Sequence, residues 1–166
     1  GYEKTKIAFQ KSIEALQLDY VDMYLIHQPF GDIFGSWRAM QELFNEGKIR
    51  DIGVCNFLPD RLMDLIVNSG FTPAVNQIET HPFHQQIENQ KYLQENNVQI
   101  EAWGPFAEGM NGVFTNEVLS AIGAKYNKSV AQVILRWLTQ RGVVAIQKKK
   151  KKERMIENIN IFDFDD

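Results

Sequence analysis

The sequence predicts an α/β fold in which parallel β-strands alternate with α-helices. Short apolar runs are separated by amphipathic segments along the whole chain. Most of these runs begin about 25 to 30 residues apart, the repeat of one strand–helix unit. Strands this short and this apolar are typical of a parallel sheet that helices cover on its faces.

Composition and charge indicate one globular domain over residues 1–166. Hydrophobic residues make up 44% of the chain and charged residues 23%, which is ordinary for such a domain. The formal net charge of −3 argues against a general nucleic-acid-binding surface. The single cysteine, Cys55, excludes an internal disulfide and a cysteine-rich zinc site. Because no apolar run is long enough for a membrane span or a signal peptide, we expect a cytoplasmic protein without a membrane partner.

Each strand is predicted from a short apolar run that a polar or turn-forming residue ends. The first run stops at His27, and Pro29 follows, which has no N–H group to give to a sheet. The predicted strands cover residues 20–26, 48–54, 74–78, 98–102 and 143–146.

Helices are predicted where apolar residues recur three or four positions apart. One helix carries Trp37 and Met40 and ends at Gly47, because glycine readily terminates helices. Another runs from Pro59 to Gly70, with proline first and glycine last as helices favour. The remaining predicted helices cover residues 3–17, 86–96, 115–126, 129–141 and 151–159.

Polar or aromatic residues follow the predicted strands one after another. They are His27, Cys55, Asn56, Gln77, Glu79, Trp103, Gly104, Gln147 and Lys148. The carboxyl ends of parallel strands meet at one face, where such proteins keep their binding and catalytic groups. A single polar residue at a strand end is usually structural, but the succession of five such ends favours a binding site.

Five segments resemble the aldo-keto reductase family, in the family's order and over nearly the whole chain. They are Leu25-Ile-His-Gln-Pro29, Gly47 to Phe57, Val75-Asn-Gln-Ile-Glu79, Ala102-Trp-Gly-Pro105 and Ala131-Gln-Val-Ile-Leu-Arg-Trp137. The resemblance implies a partial (β/α)8 TIM barrel, with what resemble strands four to eight present and the first three absent. It also implies NADPH-dependent reduction of a small aldehyde or ketone to an alcohol.

The resemblance gives roles to the strand-end residues of the first half. His27 matches the histidine of the catalytic group, which orients and polarises the substrate carbonyl. Asn56 and Gln77 match the residues that hydrogen-bond the nicotinamide carboxamide, and an amide offers both a donor and an acceptor for it. Trp103 matches the aromatic residue that stacks on the nicotinamide ring. Cys55, also implied to bind the cofactor, stands where the family often has serine.

The remaining cofactor contacts are implied for the second half. The loop from Gly104 to Gly109 resembles the segment that wraps the pyrophosphate, and its glycines permit close approach of the backbone. Arg154 and Asn158 match residues that hold the adenosine end of the cofactor, and arginine suits its 2′-phosphate. Gln147 stands in place of the family's proline, and Lys149 in place of its serine, so that extra positive charge favours NADPH over NADH. The residues implied to bind the cofactor here are Gly104, Pro105, Phe106, Lys148, Lys149, Arg154, Glu157 and Asn158.

The family's catalytic aspartate, tyrosine and lysine belong to its first three strands, and this sequence offers no substitutes for them. Charge builds on the substrate oxygen during hydride transfer, and a proton donor must neutralise it. We therefore expect little or no reductase activity from these 166 residues alone. A partial barrel also has open sheet edges, so we expect self-association, or completion by a polypeptide that carries the missing strands.

Two other functions stay open. The chain could be a catalytically inactive relative that binds the cofactor or another protein. The lysine run at residues 148–152 could bind phosphate or nucleic acid, although the acidic net charge makes that case weak and we expect no nucleic-acid partner.

Four further aromatic residues are given structural roles. Trp37 and Trp137 lie on apolar helix stripes and are predicted to belong to the core. His81 and His84 flank a proline and are predicted to lie on the surface. Without a third ligand, they predict no metal site.

Overall fold

The computed structural model describes residues 1–147 and 151–165 and contains five parallel strands that alternate with helices. The strands are β1 (Val21–Ile26), β2 (Ile49–Cys55), β3 (Val75–Glu79), β4 (Gln99–Trp103) and β5 (Val144–Ala145), joined in that order. The helices are α1 (Tyr2–Leu16), α2 (Ile33–Asn45), α3 (Pro59–Ser69), α4 (Ile87–Glu95), α5 (Glu117–Tyr126), α6 (Val130–Gln140) and α7 (Lys152–Ile159). The predicted alternation is confirmed, and every predicted boundary lies within two residues of the observed one.

Local sequence signals explain where the helices begin and end. Pro59 opens α3, and Gly70 closes it with a φ of 64° that glycine adopts without strain. Gly47 ends α2 in the same way, and Lys48 donates its N–H to the Leu43 carbonyl as in a Schellman motif. These helix ends set the turns that precede the next strands.

The chain divides into two compact units, each with its own buried residues. The first contains residues 1–77 and 88–99 and the second residues 78–87 and those from 100 onward. Ile52 and Val54 of β2 are fully buried in the first unit, with Trp37 of α2 and Leu62 of α3. Trp37 thus belongs to the core as predicted. Whether the whole chain behaves as one domain stays a prediction.

Trp137 of the second unit is not a core residue, so this prediction was wrong. Its ring is half-buried and lies 4.4 Å from the Arg141 guanidinium carbon, while Ile134 and Leu138 of the same helix are fully buried. The apolar stripe of α6 is wider than the surface that its neighbours cover. Trp137 instead lines an apolar groove with residues that include Phe83, Leu119 and Phe164.

His81 is buried, which contradicts the prediction that both loop histidines lie on the surface. The backbones of His81 and His84 exchange two hydrogen bonds, of 3.2 and 2.8 Å, and His81 is 5% exposed. Its Nδ1 accepts from the Phe83 N–H and its Nε2 lies 3.2 Å from Glu79 Oε1. His84 is exposed, as predicted.

Within the described ranges, no helix is long and apolar enough to cross a membrane.

Candidate functional site

Three residues predicted to serve the site lie together at the carboxyl ends of β1 and β2. His27 follows β1 and is exposed, and Asn56 follows β2 directly after the buried Cys55. Asn56 adopts a left-handed φ of 60°, which asparagine tolerates better than most residues. Its side-chain Nδ2 lies 3.5 Å from the His27 carbonyl oxygen. The sharp turn at Asn56 therefore brings its amide beside the end of the neighbouring strand.

Gln77 joins this group from the middle of β3, not from its end as predicted. The strand continues to Glu79, so that Gln77 pairs in register with Cys55. Its carbonyl oxygen accepts the Asn56 N–H at 2.9 Å. The half-buried Gln77 side chain consequently belongs to the same part of the first unit as Asn56 and Cys55.

Asn76 supports the same turn, although it is not among the predicted site residues. This side chain is only 1% exposed, and its Nδ2 donates to the Phe57 carbonyl at 2.8 Å while its Oδ1 lies 3.4 Å from the Phe57 N–H. The two contacts fasten the residue after Asn56 to β3. An asparagine inside a predicted strand was the available signal, because a buried amide needs partners.

In the second unit, the loop after β4 is tightly wound beside a cavity. Trp103 ends β4 and is half-buried, and Gly104 follows with a φ of 60°. A Cβ atom on Gly104 would be in ordinary contact with Glu108 Oε1 at 3.4 Å, so the positive φ, not a lack of space, disfavours a larger residue here. The cavity of about 310 Å³ is lined by Gly104, Pro105, Phe106, Glu108, Gly109, Phe114, Ile146 and Gln147.

The last turn of α7 contains a buried donor without a partner among the described residues. Asn158 is 7% exposed, its Nδ2 has no hydrogen-bond acceptor there, and the residue lines a cavity of about 380 Å³ with Gln147, Met155 and Ile159. Gln147 Oε1 is also buried without a described partner. A buried amide in this situation is one that a ligand could satisfy.

The other residues predicted to bind the cofactor in this region differ in their exposure and in their existing hydrogen bonds. Arg154 is exposed on α7. The Glu157 carboxylate accepts a short hydrogen bond from the Ser129 hydroxyl, so it is already engaged with the start of α6. Lys148 and Lys149 lie outside the described residues. Within the part of the chain that is described, no cluster of three or more histidine, cysteine or acidic residues could hold a metal ion.

Comparison with known proteins gives a consistent result. The sequence profile described as "Aldo/keto reductase family" matches residues 2–166. The glyoxal reductase of Bacillus subtilis is 51% identical over 99% of this chain, which spans 59% of that protein.

Solved structures match over the same extent of the chain. An aldo-keto reductase from a Medee basin deep-sea metagenome has a TM-score of 0.96 and 40% identity, over 99% of this chain and 61% of its own. A Bombyx mori aldo-keto reductase in complex with NADP has a TM-score of 0.91 and 34% identity, over 98% of this chain and 59% of its own. These matches confirm the predicted fold class, a partial barrel of alternating strands and helices.

Proposed function

The chain belongs to the aldo/keto reductase family, and we propose that it contributes to the NADP(H)-dependent reduction of aldehyde or ketone groups to alcohols. The main support is the group at the ends of the first unit's strands, where His27 is exposed and Asn56 lies within 3.5 Å of its carbonyl. The chain spans about three-fifths of the length of the relatives it matches. The complete reaction is therefore proposed for a complete barrel that includes these residues.

NADP(H) is the proposed cofactor, and the residues present fit it. The buried Asn158 Nδ2 lacks an acceptor among the described residues, and the nucleotide would supply one. The exposed Arg154 guanidinium suits a 2′-phosphate, since it is planar and always charged. Gly104 leaves the backbone open to the pyrophosphate at a place where a side chain would be strained. When bound, the nicotinamide supplies the hydride.

The nicotinamide end is proposed to be held by amides and an aromatic ring. Asn56 and Gln77 would hydrogen-bond the carboxamide, and both side chains are half-buried, so they retain access to a ligand. Trp103 would stack on the ring and leave one face free for transfer. The preceding Cys55 is buried and serves as the strand end that carries Asn56.

His27 is proposed to orient the substrate carbonyl. Its imidazole is exposed, and a ring nitrogen can donate a hydrogen bond to the carbonyl oxygen as negative charge develops there. The substrate class proposed is a small dicarbonyl or other reactive aldehyde, which agrees with the name of the Bacillus subtilis relative.

A polypeptide of these 166 residues alone is proposed to have little or no reductase activity. His27 has no tyrosine and lysine of the family's catalytic group to act with, and members of such a group depend on one another. The polypeptide would still contain the residues proposed to bind the cofactor. An inactive relative that only binds the cofactor or a protein is the second candidate.

The test compares binding with turnover. NADPH fluorescence is titrated with the 166-residue polypeptide, and NADPH oxidation is then followed with glyoxal, before and after a polypeptide with the family's first three strands is added. We expect binding without turnover at first and turnover after the addition. His27→Gln should abolish the restored turnover while binding persists, and His84→Gln should not.

Three results would count against the proposal. Robust turnover by the 166 residues alone would contradict the requirement for the other catalytic residues. Binding that never leads to turnover would favour the inactive relative. Absence of NADPH binding would contradict the cofactor assignment.

A further inference from the structure

One glutamine at the start of α6 holds the end of α7 from both sides of Asn158. Gln132 is 6% exposed, and its Nε2 donates to the carbonyl oxygens of Glu157 at 3.0 Å and Asn160 at 2.9 Å. Both N–H groups of the amide are thereby used. The backbone on either side of Asn158 is consequently tied to one side chain.

The orientation of this glutamine is itself fixed. Its Oε1 accepts the backbone N–H of Ser129 at 3.0 Å, as part of the capping box that begins α6. Since the amide nitrogen faces two carbonyl oxygens, a flipped amide would bring oxygens together and is excluded.

Two neighbouring residues add further ties to the same segment. Lys128 Nζ, on a side chain only 8% exposed, donates to the Asn160 carbonyl at 3.2 Å and pairs with Asp163 at 2.6 Å. The Ser129 hydroxyl donates to the Glu157 carboxylate. Residues 128–132 therefore hold the chain on both sides of Asn158, whose own Nδ2 has no acceptor in the described part of the chain.

We propose that Gln132 is a positioning residue for cofactor recognition: it fixes the last turn of α7 so that Asn158 meets the adenosine portion of NADP(H). This inference rests on the proposed cofactor. Hydrogen bonds weaken steeply when distance or angle departs from a narrow range. A turn of α7 released from Gln132 would therefore bind adenosine poorly, while the nicotinamide contacts would be unaffected.

The test uses a substitution that separates capping from anchoring. Gln132→Glu keeps an oxygen for the Ser129 N–H but turns a second oxygen toward the carbonyls of Glu157 and Asn160. In the purified protein, we expect it to weaken adenosine 2′,5′-bisphosphate binding about tenfold and reduced nicotinamide mononucleotide binding less than about twofold. Gln94→Glu makes the same charge change on an exposed turn of α4 and should alter neither affinity.

Lys128→Met is the second variant, because it leaves the capping box intact. It should weaken binding of the adenosine fragment selectively and by less, about threefold. Equal losses of affinity for both fragments in both variants would indicate a merely structural role and overturn the inference. Unchanged affinity for the adenosine fragment would also overturn it. If the unmodified protein binds neither fragment, the proposed cofactor fails, and the inference fails with it.

Discussion

The side-chain amide of Asn76 holds the backbone of Phe57 from both sides, with its Nδ2 2.8 Å from the carbonyl oxygen and its Oδ1 3.4 Å from the N–H. Asn76 is 1% exposed, so this pair of bonds is shielded from water. It fixes the chain one residue beyond Asn56, which is proposed to bind the nicotinamide carboxamide.

Replacing Asn76 by leucine should lower both stability and cofactor affinity. The substitution leaves a buried carbonyl and a buried N–H without partners, which costs about 2 kcal/mol in the free energy of unfolding. Urea denaturation measures this change, and Asn68→Leu on the exposed side of α3 should change it by less than about 0.5 kcal/mol. A full-strength NADPH signal from a destabilised Asn76→Leu variant would contradict the link to Asn56.

The pair also illustrates what sequence patterns miss. The order of strands and helices followed from apolar spacing and from prolines and glycines at their ends, because those signals are local. Asn76 and Phe57 are 19 residues apart, and only the assembled sheet brings them together. The strand-end pattern indicated a site, but the roles of Asn56, Gln77 and Asn158 came from the family resemblance.

The wrong predictions have the same cause. Burial of a side chain depends on neighbours that a helical stripe or a loop sequence does not specify. The stripe of α6 includes Trp137, yet Arg141 and an apolar groove lie against that ring. His81 is buried because its ring nitrogens contact Glu79 and the backbone of Phe83, which only the folded loop provides.

Gly104→Ala should lower the affinity for NADPH and have only a small effect on the free energy of unfolding. At a φ of 60° an alanine is strained by about 1 kcal/mol, and its Cβ would meet Glu108 Oε1 at 3.4 Å beside the proposed pyrophosphate site. We expect NADPH affinity to fall several-fold in a fluorescence titration.

Gly47→Ala provides the matched control. Gly47 has a similar φ of 72° with nothing within 4 Å of an added Cβ, and it lies at the end of α2. Gly47→Ala should lower the free energy of unfolding about as much as Gly104→Ala does, without changing the affinity for NADPH. Equal affinity losses in the two variants would mean that backbone strain in general, not the loop at Gly104, controls binding.

The edge of the sheet at β1 should mediate association of the 166-residue polypeptide. β1 is a terminal strand of the described sheet, and apolar residues in it and after it are accessible, with Met23 37% and Phe30 76% exposed. An open strand with apolar neighbours invites pairing with another chain. Sedimentation should therefore give a mass that rises with concentration.

A charge placed on β1 should reduce that association. Met23→Lys puts a charged side chain on the edge strand, which disfavours strand pairing. Val67→Lys changes an equally apolar residue that is 72% exposed on α3 and should have no effect. A monomer at every concentration before any substitution would refute association through this edge.

A contact between α1 and α2 should make the stability of the first unit depend on pH. Lys6 Nζ lies 2.9 Å from Glu42 Oε2, and the Tyr2 hydroxyl donates to the same carboxylate in a short hydrogen bond. The Tyr2 hydroxyl, and next to it the Lys6 ammonium, hold the pKa of Glu42 below its ordinary value of 4.5. A lowered carboxyl pKa stabilises the fold above the unfolded value, and this stabilisation disappears as pH falls through the folded value.

Glu42→Gln tests this dependence. The stability difference between the original protein and the variant should be present at neutral pH and shrink as pH falls below about 4.5, measured by urea denaturation across the acid range. Added salt should reduce the difference at neutral pH, since Glu42 is exposed and Tyr2 and Lys6 are only half-buried. Glu95→Gln on α4 provides the matched control, and a difference that grows on acidification would show that the Glu42 carboxylate does not stabilise the contact.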